Sequence, residues 1–128
     1  MASLPQNPAP QRTPEITAGP YLEFDLQAEI DQLRREPAYE SGRNAKTMAK
    51  YEDFRIVLTA IKGGTRIHQH HSAGRISVQT VAGHIRMRAL DRQFDLPLGR
   101  LLALDRGVQH DVEAVQDSAF LLTVAWPK

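Results

Sequence analysis

Apolar and polar positions follow two different periods along this chain, and the change between them divides it. In YLEFDLQAEIDQLRREPAYESG, residues 21–42, Leu26, Ile30 and Leu33 recur at the spacing of one helix face. Asp25 stands where a side-chain oxygen caps free N–H groups, and Pro37 cannot continue a helix, so one amphipathic helix is predicted over about 25–36. From residue 44 the period becomes two. NAKTMAKY alternates, FRIVLTAI is apolar and β-branched, and Gly63-Gly64 ends that run. TRIHQHH, RISVQTVAG, HIRMRAL, QFDLPLG, RLLALDRG, QHDVEAV and SAFLLTVAW follow, each bounded by Gly, Asp or Pro. Short strands at this rhythm predict an all-β sandwich or barrel. In HIRMRAL, Ile85, Met87 and Ala89 take the core face, leaving His84, Arg86 and Arg88 towards solvent. Trp126, at the end of the last strand, is predicted to pack on the helix or in a dimer interface.

Composition adds a boundary and several exclusions. Five of the eight prolines fall in residues 1–20 among Gln, Asn, Ser and Thr, a segment expected to be a flexible arm. Residues 21–128 then form a single domain, with no internal repeat. The 128 residues carry a net charge of +1, and the one basic pair, Arg34-Arg35, is flanked by Asp31 and Glu36. A nucleic-acid partner is therefore not expected. No window approaches the roughly 20 apolar residues of a membrane span. Cysteine is absent, which excludes disulfides, thiolate metal ligands and a cysteine nucleophile. The N-terminal residues show no basic start followed by an apolar run, so a cytoplasmic protein is expected.

Three of the five histidines crowd into four positions: His68, His70 and His71. On a regular strand, His68 and His70 share a face with Arg66, and His71 lies on the other. Two imidazoles at i and i+2 on one strand face suit a metal ion, although solvated histidines produce the same pattern. The third candidate is His110, in GRLLALDRGVQHDVEA. Asp111 and Glu113 have the wrong parity to ligate beside it.

This last stretch resembles the second motif of the cupins, in which a glycine, five residues, Pro-x-Gly, two residues, a histidine and three further residues lead to an asparagine. Gly99, Gly107 and His110 fall in register, with Asp105 in place of the proline and Ala114 in place of the asparagine. The first cupin motif is matched more loosely, by Gly63, His68-Gln69-His70 and a closing Gly83. Its glutamate is missing: the two possible alignments put Arg75 or Ile76 there. The resemblance covers about residues 45–126 and implies a small, jelly-roll-like cupin β-barrel. It also implies a divalent transition metal (iron, nickel, zinc, manganese or copper) held by His68, His70 and His110.

Three neutral imidazoles leave the metal's charge uncompensated, which favours a small anionic substrate. Arg75 is a candidate to hold its carboxylate, with Arg66 or Arg55 as further choices, and Gln79 supplies an oxygen if it faces inward. The resemblance thus implies a metal-dependent enzyme, dioxygenase-like or an isomerase, and a homodimer. The alternative is a small-molecule binding, sensing or structural barrel without metal.

Overall fold

The computed structural model of the protein describes residues 15–127. The predicted helix is α1, Leu26–Arg35, and the Asp25 side chain accepts a hydrogen bond from the Ala28 N–H at its start. A 3-10 turn at Pro37–Ser41 follows, closed by Gly42 with φ of 118°. Nine strands come next: β1 (Arg43–Lys50), β2 (Phe54–Ile61), β3 (Arg66–His70), β4 (Arg75–Ala82), β5 (His84–Ala89), β6 (Arg92–Pro97), β7 (Leu101–Leu104), β8 (His110–Ala114) and β9 (Ser118–Ala125). They pair antiparallel into a five-stranded sheet, ordered β1-β2-β9-β4-β7, and a four-stranded sheet, ordered β3-β8-β5-β6.

The inner faces of the two sheets make the main core. Ile76, Val78, Phe120 and Val124 from the larger sheet meet Ile85, Met87, Leu96 and Val112 from the smaller. Ile85 and Met87 are wholly buried, as their alternation requires, and each contributes roughly 1.5–3 kcal/mol of burial. Across the interface the Thr80 hydroxyl donates to the Leu96 carbonyl at 2.8 Å. Trp126 packs on this core.

The larger sheet is covered on its outer face as well. Ile30 and Leu33 of α1 pack with Tyr39, Met48, Leu58, Ala60 and Ala119. Lys46 is enclosed between helix and strand, 2.6 Å from Glu15 and 2.7 Å from Glu29. Burial works against this ammonium, but hydrogen bonds and charges from the two glutamates outweigh it and hold its pKa above the usual lysine value. Residues 15–20, expected within the loose arm, are tied to β1: the Thr17 carbonyl accepts from Lys50 N–H at 2.7 Å, and Gly19 carbonyl from the Tyr51 hydroxyl at 2.7 Å. The remainder of that arm, residues 1–14, lies outside the described residues.

At Gly83 the chain leaves the larger sheet for the smaller one, with φ of 74°. Ser118 Oγ accepts from the His84 N–H at 2.9 Å and donates to the Gln116 carbonyl at 2.7 Å, pinning the corner. A Cβ at Gly83 would collide with the Asp117 carbonyl oxygen and Ser118 Oγ, whereas one at Gly99, φ 90°, meets nothing. Gly99→Ala should therefore cost only the left-handed backbone penalty of about 1–2 kcal/mol, and Gly83→Ala clearly more. Urea unfolding of the two variants checks this; equal losses would mean that the corner is not closely packed.

Candidate functional site

β3 does not run as a regular strand, and this decides where its histidines stand. Ile67 pairs with Val112 and His70 with His110, so β3 advances three residues while β8 spans two. The extra residue is a bulge, which reverses the side-chain parity beyond it. His70 consequently faces the barrel side with Ile67, opposite His110, and not simply in step with His68. His110 is buried among the inward residues of β8.

The two rings lie 4.2 Å apart between centroids, at 64° to one another. Each is held from behind. His70 Nδ1 is 2.9 Å from its His68 carbonyl, and His110 Nδ1 is 3.0 Å from the Val108 carbonyl. A carbonyl only accepts, so in each neutral ring the proton sits on Nδ1, leaving the Nε2 lone pair free to take a ligand. Burial lowers the pKa of His110 below the usual histidine value of 6.5; the charges of His70 and His71 lower it further, against the Val108 carbonyl and Asp111.

His68 is exposed and lines a shallow hollow of about 460 Å³ with Arg43, Arg66, Ile67 and His70. Among the described residues, no three His, Cys, Asp or Glu side chains gather closely enough to hold a metal ion. The structure thus brings His70 and His110 together and leaves the expected third ligand, His68, outside that pair. His71, expected on the opposite face, is near enough for its charge to act on His110.

The expected anion ligands move. Arg75 pairs with Ala125 and Gln79 with Leu121, on the outer face of the larger sheet, so neither points into the barrel. The inward member of the two possible glutamate positions is Ile76, which is 5 % exposed. Arg75 is instead 3.0 Å from Asp105 Oδ1, which also accepts from Arg106 N–H at 2.8 Å. That backbone N–H, then Arg75, hold the Asp105 carboxyl below its usual range. Asp105, in the motif's proline position, and Arg75 therefore satisfy one another at the surface.

The arginine that does face inward is Arg55, opposite Val124 on β9. Its guanidinium lies 5.1 Å from the Trp126 ring centroid, and its Nε is buried without a hydrogen-bond partner. It stands at the same end of the barrel as the histidines. Phe54 and Arg75 both pair with Ala125 there, and residues 71–74 connect Arg75 to β3. Sequence periodicity carries the signal, since Arg55 alternates in step with Val57 and Thr59, but β2 is apolar on both faces and conceals which side is inward.

In metal-free protein, His110 binds its proton less readily when folded than when unfolded. Stability should therefore be full above the unfolded pKa and fall as pH drops through it towards the folded value. Urea midpoints from about pH 7 to about pH 5 should decline more steeply for the native chain than for His110→Gln. Parallel slopes would show that His110 is not shielded.

No family model matches the chain, and no curated protein sequence does so. Solved structures do match by shape. An RmlC-like cupin from Desulfovibrio desulfuricans is 20 % identical, covers 89 % of this chain and 97 % of its own, and superposes with a TM-score of 0.62. KdgF from Halomonas is 17 % identical over 69 % of this chain and 82 % of that one, with a TM-score of 0.63. Salicylate 1,2-dioxygenase from Pseudoaminobacter salicylatoxidans is 12 % identical and matches 80 % of this chain at a TM-score of 0.72, spanning 34 % of the longer enzyme. Two antiparallel sheets closed over one core, with paired histidines at one end and this set of structural neighbours, give the chain a small cupin fold.

Proposed function

We propose that this cupin binds one divalent transition metal at a histidine centre built on His70 and His110, and acts on a small anionic molecule there. The observation carrying this reading is the facing pair itself: two imidazoles with both Nδ1 atoms held by backbone carbonyls and both Nε2 atoms free. This is the arrangement in which histidine ligates a metal. His68 or His71 completes the set by turning towards the pair. Nitrogen donors suit iron(II), nickel, zinc, manganese or copper and do not suit calcium or magnesium.

The ion would polarise a bound substrate or activate oxygen or water, as in dioxygenase-like chemistry. The chain's own contribution is binding and orientation. Arg55, with its buried unpaired Nε and its face on Trp126, is the anchor for a substrate carboxylate, in place of Arg75 and Gln79. The resemblance in shape to salicylate 1,2-dioxygenase supports an oxidative reaction on this scaffold, although fold alone does not choose a reaction. Exposed Leu98 and Leu101, beside and on the edge strand β7, support a homodimer.

A second reading rests on the apolar Ile76 and the absence, among the described residues, of a three-donor cluster. In it the same mouth binds an organic anion directly, as a sensing module, through His70, His110 and Arg55.

Elemental analysis of the purified chain should find close to one transition metal per protomer, falling to background in His110→Ala and in His70→Ala. Loss in His68→Ala or in His71→Ala identifies the third ligand. Absence of metal from the native chain, even after supplementation, would overturn the metal reading and leave the sensing one.

A further inference from the structure

The outer face of the four-stranded sheet carries two rows of charged and polar residues, and among the described residues only one of them is joined by ion pairs. The first runs Arg66, Glu113, Arg86, Asp95 across β3, β8, β5 and β6. It is closed by ion pairs of 3.4 Å between Arg66 and Glu113 and 3.6 Å between Arg86 and Asp95, with His84 at 2.5 Å from Asp95. The second runs Asp111, Arg88, Gln93. Here, among the described residues, Arg88 has no carboxylate within ion-pairing distance, and Asp111 Oδ1 is buried with no hydrogen-bond partner.

That second row floors a cleft of about 870 Å³. The β5–β6 turn closes one side, with Leu90 and Asp91 at φ of 54° and 59°, and the β7–β8 loop closes the other. The turn region contributes Arg92, which lies over the Phe94 ring at 5.1 Å, and the loop contributes Arg106. Three guanidiniums, none in an ion pair among the described residues, therefore converge on a concavity of ligand size. They exceed the acids in its wall, Asp91 and Asp111, by one charge.

We propose that this cleft binds a small phosphate monoester bearing hydroxyl groups, with Arg88 and Arg106 on the phosphate and Asp111 accepting from a hydroxyl. Guanidinium forks fit phosphate oxygens in paired hydrogen bonds, and a dianion answers several of them at once. A buried carboxylate oxygen needs a donor, which a hydroxyl set apart from the phosphate supplies. Asp91 and Asp111 also disfavour an extended polyanion. The cleft lies against the strand ends that carry the histidines: Gln69 and Gln109, both on its wall, adjoin His70 and His110. It opens on the outside of the sheet, however, and the inference stands apart from the metal reading.

Calorimetric titration of the full chain, stripped with EDTA and at low ionic strength, tests this with glycerol 3-phosphate as the probe. Saturable binding at one site per chain is expected, stronger than for inorganic phosphate and absent for glycerol. The double variant R88A/R106A should weaken it at least tenfold, while the helix-surface variant Arg35→Ala leaves it unchanged. Asp111→Ala should remove the preference for glycerol 3-phosphate over inorganic phosphate. Binding should persist in His70→Ala, whatever that variant does to metal content. No saturable heat with the native chain, unchanged affinity in R88A/R106A, or loss in His70→Ala would each overturn the proposal.

Discussion

Everything in this molecule hangs on a sheet that is buried on both faces. The five-stranded sheet meets the four-stranded sheet through Phe120, Val124, Ile76 and Val78, and meets α1 through Leu58, Ala60 and Ala119. β2 and β9 therefore present apolar residues on both sides, which is why FRIVLTAI and AFLLTVAW read as nearly continuous hydrophobic runs. The smaller sheet is buried on one face only. Its central strands β5 and β8 alternate, and its outer face is free to carry charge.

This asymmetry divides the chemistry of the protein between two sides of the same strands. At one barrel end stand an exposed His70, a half-buried Arg55 and a buried His110, whose burial depresses its pKa. Outward stand the cross-strand charges, one row paired and one row lining a cleft. The bulge in β3 makes the inward arrangement, because without the extra residue His70 would share a face with outward Arg66 and miss His110.

The departures from the cupin motifs also find a physical account. The turn proline is replaced by Asp105, which forms an exposed ion pair with Arg75. Asp105 keeps the turn by accepting from Arg106 N–H. The inward glutamate position is filled by Ile76, so the barrel interior there is apolar.

The sequence by itself determined the all-β class, the helix from its Asp25 cap to the stop before Pro37, and the core face of β5. These follow from local chemistry: side-chain period, capping and the breakers between strands. It also named His68, His70 and His110 as a set, through the spacing of histidines and glycines, of which the fold brings only His70 and His110 together. Only the tertiary structure decided which histidine faces which, because one extra residue in β3 reverses parity without changing composition. The alternation of β4 itself sets Arg75 and Gln79 on the face opposite Ile76 and Val78, whereas tertiary packing alone turned Arg55 inward, since β2 is apolar on both faces. It tied residues 15–20 to β1, through backbone partners that a proline-rich segment does not reveal. And the outer cleft depends on residues from β5, β6, β8 and two separate loops, whose meeting is a property of the folded sheet and of no single segment.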